Sequence, residues 1–156
     1  MGTFIGHIES RLDTKGRLLF PAAFKKQLGD MVNGSFVVKK DIYENCLVLY
    51  PMDAWESQVA DLQQRLNPYN KTHNAFLRKF FSDTAELTLD ANNRMLLPKR
   101  LLEKVGIERD VALIGVGDKI EIWAVDALEA QEMNDSDFAD LAQSLLGGDL
   151  NGEDDK

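Results

Sequence analysis

Asp13-Thr14-Lys15-Gly16-Arg17-Leu18-Leu19-Phe20-Pro21 occurs twice in the chain, the second time as Asp90-Ala91-Asn92-Asn93-Arg94-Met95-Leu96-Leu97-Pro98. Asp13 answers to Asp90, Arg17 to Arg94, Leu19 to Leu96 and Pro21 to Pro98, all at an offset of 77 residues. The register extends in both directions. Phe4, Glu9 and Leu12 stand opposite Phe81, Glu86 and Leu89, and Gly29 stands opposite Gly106. Further on, Leu47-Val48-Leu49-Tyr50 matches Ile120-Glu121-Ile122-Trp123 after a four-residue deletion. An Asp and an Arg at fixed spacing, an apolar run, a proline and a glycine held in one register mark an internal duplication, and a repeat has to be settled before the fold.

Within the motif, Asp13 can accept backbone amides two residues on, and Gly16 supplies a positive φ. This is the chemistry of a type I turn closed by a glycine bulge, a common hairpin connection. Asn93 replaces Gly16 in the second copy, and Asn is among the few residues that tolerate the left-handed region. Residues 4–12 and 18–20 read as strands. Pro21 then suits the start of a helix over Ala22 to Leu28, stopped by Gly29. Strands follow at 35–39 and 46–50. Pro51 opens a helix whose apolar residues Met52, Trp55, Val59, Leu62 and Leu66 step by three or four. Pro68 breaks it, and Thr72 to Phe81 forms a second helix. The second copy repeats the order: strands 85–89, 94–97, 110–115 and 119–124, a turn over Gly115–Asp118, a helix over 98–105 and another from about Asp126. Phe138, Leu141 and Leu145 suit a short amphipathic turn or two, and the acidic end beyond Gly147-Gly148 is expected to be disordered.

Each half has about four short strands and one small helix, too little for an independent core. Two halves interleaved about a pseudo-twofold axis would bury one core and remove sheet edges. The expected fold is α+β, β-rich, with both repeats closing one small barrel flanked by helices. The expected divisions are a first repeat at 1–53, a helical insertion at 54–80, a second repeat at 81–126 and an acidic tail at 127–156.

Composition narrows the function. The net charge of −8 argues against nucleic acid until its distribution is read. Residues 126–156 hold ten acids and one base, whereas residues 1–40 hold seven bases and three acids. An acidic tail thus masks a basic N-terminal segment. Cys46 is the only cysteine, so intramolecular disulfides are excluded. Its apolar strand marks it as a packed small hydrophobe, not a nucleophile. His7 and His73 are the only histidines, too few soft ligands for a zinc site. Trp55 and Trp123 read as core contacts. Gly115-Val116-Gly117-Asp118 joins two strands and opens no helix, so it is a turn and not a phosphate loop. Nothing visibly desolvates or positions Glu9, Asp13, Glu86 and Asp90 for acid–base work, so an enzyme is not expected, and no cofactor is implied.

Two readings compete for the motif. Asp13 and Arg17 flank a tight turn, and an ion pair between them would hold it. Yet residues 9–26 carry five bases against two acids, while residues 86–103 carry three of each. A shared fold does not explain why only the first copy is basic. Phosphate attraction does, because each neutralised phosphate releases counterions. A two-stranded ribbon also fits the major groove, where an arginine can bond guanine in bidentate fashion.

With these segments in place, the chain resembles the MraZ family, within the AbrB-like swapped-hairpin group of bacterial DNA-binding proteins. The resemblance rests on Asp13-x-Lys15-Gly16-Arg17-Leu18 with Pro21, and on Ile114-Gly115-Val116-Gly117 leading to Ile120-Glu121-Ile122-Trp123. It covers residues 1 to about 130 and implies a cytoplasmic, nucleoid-associated regulator of the division and cell-wall gene cluster. The resemblance further implies repression that includes the regulator's own promoter, binding to short direct repeats in double-stranded DNA, and assembly into ring homo-oligomers. It carries over Lys15 and Arg17 as DNA contacts, with Arg94 as the matching position in the second loop. Arg11 joins them from the same basic window. Asn93 and Ala91 depart from the family pattern in that second loop. The alternative is a protein-interaction module of the antitoxin kind. No membrane or small-molecule partner is evident.

Overall fold

The first copy of the motif lies between β1 (Phe4–Arg11) and β2 (Arg17–Leu19), and the second between β5 (Thr84–Thr88) and β6 (Arg94–Leu96). The computed structural model describes residues 3–29 and 34–147. In both copies the turn forms as its residues dictate. Gly16 and Asn93 donate backbone N–H bonds of 3.0 Å to the carbonyls of Asp13 and Asp90, at φ of 83° and 62°. Pro21 and Pro98 end the short strands, and α1 (Ala22–Leu28) and α4 (Lys99–Lys104) begin directly after them. The remaining strands are β3 (Ser35–Lys40), β4 (Leu47–Pro51), β7 (Asp110–Gly117) and β8 (Ile120–Ala124).

The pairing of these strands is the central fact of the fold. The six-stranded antiparallel sheet has the order β1-β7-β8-β4-β3-β5, and β2 pairs with β6 in a separate ribbon. Exchange each strand for its counterpart in the other repeat and the order reads the same backwards. A pseudo-twofold axis therefore passes between β4 and β8. Except for the β3–β4 and β7–β8 hairpins, every pairing joins one repeat to the other. One core accordingly draws on both halves: Phe4, Leu18, Phe24, Phe36 and Leu49 pack with Met95, Leu101, Leu113 and Ile120. Phe24 meets Phe4 edge-on with ring centroids 5.8 Å apart, and Phe20 lies 5.1 Å from Phe36.

Three expectations need correction. The barrel does not close, because β1 and β5 stand at opposite ends of the sheet. The strands that would have bridged them, β2 and β6, are only three residues long and bond to each other. The motif is also not the loop of a paired hairpin: two backbone bonds, from Gly16 N–H to the Asp13 carbonyl and from Asp13 N–H to the Arg17 carbonyl, close the turn, and β1 then pairs with β7 while β2 pairs with β6. Finally, Gly115 and Val116 belong to a strand and not to a turn. β7 runs on to Gly117 because β1 continues to pair with it as far as Phe4.

The insertion forms α2 (Met52–Arg65) and α3 (Lys71–Ser82), the latter capped by Asn70, whose side chain accepts from the His73 amide at 3.0 Å. Trp55 stacks on Phe80 with centroids 5.7 Å apart and meets Phe81 edge-on at 6.1 Å, joining the two helices over β3 and β4. After β8 come α5 (Val125–Glu129) and α6 (Asp135–Ala142), which ends in a wider π-helical turn at Gln143–Gly147. Cys46 and Trp123 are buried together with Ala112, as their apolar surroundings required. Burial also raises the thiol pKa, which keeps Cys46 protonated. The disorder expected of the chain end concerns residues 148–156, which lie outside the described residues. Among the described residues no helix is long and apolar enough to cross a membrane.

Candidate nucleic-acid interface

Each turn tip is built around its aspartate. Asp13 Oδ1 accepts the backbone N–H groups of Lys15 at 2.9 Å and Arg17 at 2.8 Å, and Oδ2 accepts from Arg17 Nε at 2.7 Å. The second tip repeats the backbone bonds, from Asn92 N–H at 2.8 Å and Arg94 N–H at 3.0 Å to Asp90 Oδ1. Its arginine is held less well. Arg94 Nε lies 3.4 Å from Asp90 Oδ2 and makes no hydrogen bond although the atom is buried. The expected cross-turn ion pair is therefore present, but it does not exhaust Arg17. Nε is one of five guanidinium donors, so Asp13 fixes the plane of the fork and leaves its outer edge to other acceptors.

The ribbon brings the two arginines together. Arg17 pairs with Leu96, Leu18 with Met95, and Leu19 with Arg94. Strand alternation sends Leu18 and Met95 into the core, each 1% exposed. Arg17, Leu19, Arg94 and Leu96 then share the outer face, with both leucines exposed, and Arg94 Nη1 comes within 3.9 Å of Asp13 Oδ2. Lys15 is exposed at the first tip. Arg11 stands apart from this face: it ends β1 and pairs with Asp110 of β7 at 2.9 Å.

Lys25 falls in the basic window around the first tip, residues 9–26, but its Nζ donates to Asn93 Oδ1 at 2.6 Å, at the second. Each tip thus rests on the first helix of the other repeat, and Lys99 and Leu102 of α4 line the cleft beside Lys15 and Gly16. Part of the charge asymmetry read along the chain is undone by the strand exchange. What survives is a difference in order: Arg17 is pinned at 2.7 Å and Arg94 is not.

The Asp13 carboxyl is held down to about 2 from its ordinary 3.8, first by the Arg17 amide and further by the Arg17 guanidinium and the Lys15 amide, against partial desolvation. Asp90 is lowered by the Arg94 and Asn92 amides in the same way. A depressed carboxylate stabilises the fold above its unfolded pKa, and that contribution is lost as pH falls through the folded value. The Asp13 contribution is therefore expected to disappear between pH 3.8 and about 2. Side-chain carbonyl NMR should titrate Asp13 near the lower value, and Asp13→Asn should flatten acid unfolding across that window. An Asp13 midpoint at the ordinary value would contradict the turn geometry.

Comparison with known proteins finds two matched stretches in the chain. The model of the MraZ protein family, described as antitoxin-like, matches it twice, over residues 3–79 and 80–147. The chain belongs to the MraZ family. The transcriptional regulator MraZ of Bacteroides fragilis is 41% identical over 143 residues, 92% of this chain and 90% of that protein. The transcriptional regulator MraZ of Phocaeicola vulgatus is 39% identical over 150 residues, 96% of this chain and 97% of its own. That of Christiangramia forsetii is 40% identical over 151 residues, 96% of each chain. The two MraZ matches meet between Lys79 and Phe80, inside α3, so the insertion belongs to the first match and only its last residues to the second.

Proposed function

We propose that the chain is a sequence-specific DNA-binding transcriptional regulator that uses the outer face of the β2–β6 ribbon and its two tips as the DNA-reading surface. The observation that carries the reading is the juxtaposition of Arg17 and Arg94 on one exposed ribbon face with Lys15 beside it. A ribbon of two strands has the width of the major groove. An arginine fork oriented by a carboxylate suits bidentate contact with guanine, and exposed leucines suit thymine methyl groups. The names of the relatives support regulation of transcription. Lys15 and Arg17 are the principal contacts and Arg94 the second-loop contact. Arg11, engaged by Asp110 at 2.9 Å, supplies outlying phosphate attraction.

In the finer reading the chain works in the cytoplasm on the nucleoid and represses the division and cell-wall gene cluster, its own promoter included. It binds short direct repeats as a ring of copies built from an AbrB-like swapped-hairpin unit. One ribbon binds weakly, and several engaging repeats at regular spacing multiply the affinity. Footprinting on the region upstream of the protein's own gene tests this, with a salt titration of the same complex. Protection of regularly spaced repeats and an affinity falling steeply with salt are expected. The antitoxin-like family description favours a second reading, a partner-binding module. Absence of protection together with salt-insensitive capture of a protein partner would select it.

A further inference from the structure

Among the described residues nothing covers the apolar side of α6. Phe138, Leu141 and Leu145 recur at the spacing of one helical stripe and are 64%, 43% and 60% exposed. No residue of α6 or of the π-helical turn after it is buried. A helix of eight residues is far below the length of about 12–15 at which propensity alone begins to hold one in water, so its stability has to come from packing that stripe.

The duplication shows what is missing. β4 runs into α2 and β8 runs into α5, so α2–α3 and α5–α6 hold equivalent places in the two repeats. α3 and α6 are capped alike, by the side chains of Asn70 and Asn134. In the first repeat α2 has fourteen residues, and its Trp55 stacks on Phe80 of α3. In the second repeat α5 has only five, too few to offer α6 a comparable flank. Both helical pairs sit on the face of the six-stranded sheet turned away from the main core, but on opposite halves of it: α2 packs on Val48 and Tyr50 of β4, α5 on Ala112 of β7 and Trp123 of β8.

The first-repeat half carries a surface of matching chemistry. Ile42, Phe76 and Lys79 line one cleft between α3 and the β3–β4 loop, with Ile42 and Phe76 both exposed. Tyr43, next along the loop, is 89% exposed. Lys40 Nζ holds this loop in place by donating to the Asp41 and Glu44 carbonyls at 2.8 and 2.9 Å, so its apolar tip is ordered before any partner arrives. Four lysines line the cleft against two acids, Asp41 and Asp83. Asp83 is already shared by Lys79 at 3.1 Å and by Arg100 and Lys104 at 3.6 Å. Asp41 Oδ2 accepts the amides of Tyr43 and Glu44 within its own turn. The strip is therefore positive with apolar borders. α6 is its complement, since residues 126–147 carry six acids and no base.

We propose that α6 of one copy docks across this strip of a second copy, its apolar stripe covering Ile42, Tyr43 and Phe76 and its acids answering the lysines. The two surfaces differ, so the contact is head-to-tail. It rests on the reading that copies of the chain assemble, and it names the surfaces that join them; none of these residues belongs to the β2–β6 ribbon.

Light scattering after gel filtration, with the full chain over a range of concentrations, tests the contact. Wild type is expected to exceed the mass of one chain. Phe138→Asp and Tyr43→Asp, both at exposed side chains, should each run as a monomer with an unchanged far-ultraviolet circular dichroism spectrum. Mixed in equal amounts at high concentration, the two variants should form a dimer and stop, because each brings one intact surface. A wild-type chain that stays monomeric throughout removes the assembly reading and this contact with it. Wild-type assembly that survives Phe138→Asp overturns the contact alone and leaves assembly standing. If Phe138→Asp dissociates the copies and Tyr43→Asp does not, or if the mixture stays monomeric, α6 docks elsewhere and the head-to-tail assignment fails.

Discussion

Arg17→Ala is expected to weaken binding of direct-repeat DNA by about 2 kcal/mol per engaged tip, about 30-fold, and by more where several tips bind together. The fold should survive. Asp13 keeps both of its backbone bonds, at 2.8 and 2.9 Å, and Leu18 and Met95 still anchor the ribbon. The loss exceeds that of a surface phosphate contact for two reasons. The guanidinium is positioned before DNA arrives, so little ordering remains to be done on binding. Its removal also leaves the Asp13 carboxylate uncompensated beside the phosphates. Arg94→Ala is expected to cost less, because its Nε is not fixed by Asp90. Fluorescence anisotropy with labelled DNA, alongside thermal melting of each variant, makes the comparison. Equal affinity of Arg17→Ala and wild type would remove the ribbon from the interface.

Gly115→Ala should be the most damaging single methyl in the chain. Gly115 stands opposite Gly6 in the β1–β7 ladder. A Cβ there would lie 2.6 Å from both the Ile5 amide nitrogen and the Phe4 carbonyl carbon. These are backbone atoms inside a ladder and have no rotamer to escape through. Overpacking of this kind costs about 3 kcal/mol, with a melting temperature lowered by roughly 10 °C for a chain of this size. Val116→Ala, next door and 41% exposed, should cost well under 1 kcal/mol, about the level of a surface change. Urea unfolding of the two variants decides the matter. A mild Gly115→Ala would mean that β1 is free to move away from β7.

Local chemistry made most elements readable before any coordinates. The turns follow from Asp13, Gly16, Asp90 and Asn93, the helix starts from Pro21, Pro51 and Pro98, and the duplication from its constant offset. The two-unit symmetry was legible for the same reason. Which strands pair was not. Alternation of apolar residues tells which face of a strand is buried, but it carries no label for the neighbour. The closed barrel failed on length, since Phe20-Pro21 and Leu97-Pro98 stop β2 and β6 after three residues. The role of Gly115 was missed because a glycine beside Val116-Gly117 looks like turn chemistry until β1 is seen to lie against it. Lys25 lies nearer the first tip in sequence but reaches the second in space. At the candidate interface the residue types were visible, but the orientation of Arg17 by Asp13 depends on the folded turn.

The reciprocal loan of strands has a consequence for how such a chain comes to exist. A lone repeat would lack partners for its first two strands and would have to obtain them from another molecule, so its folding would depend on concentration. Joining two repeats end to end makes that association unimolecular. It also releases the halves from identity: a glycine in one tip and an asparagine in the other, a pinned arginine and a loose one, can coexist only where symmetry is no longer enforced by both halves being the same gene product.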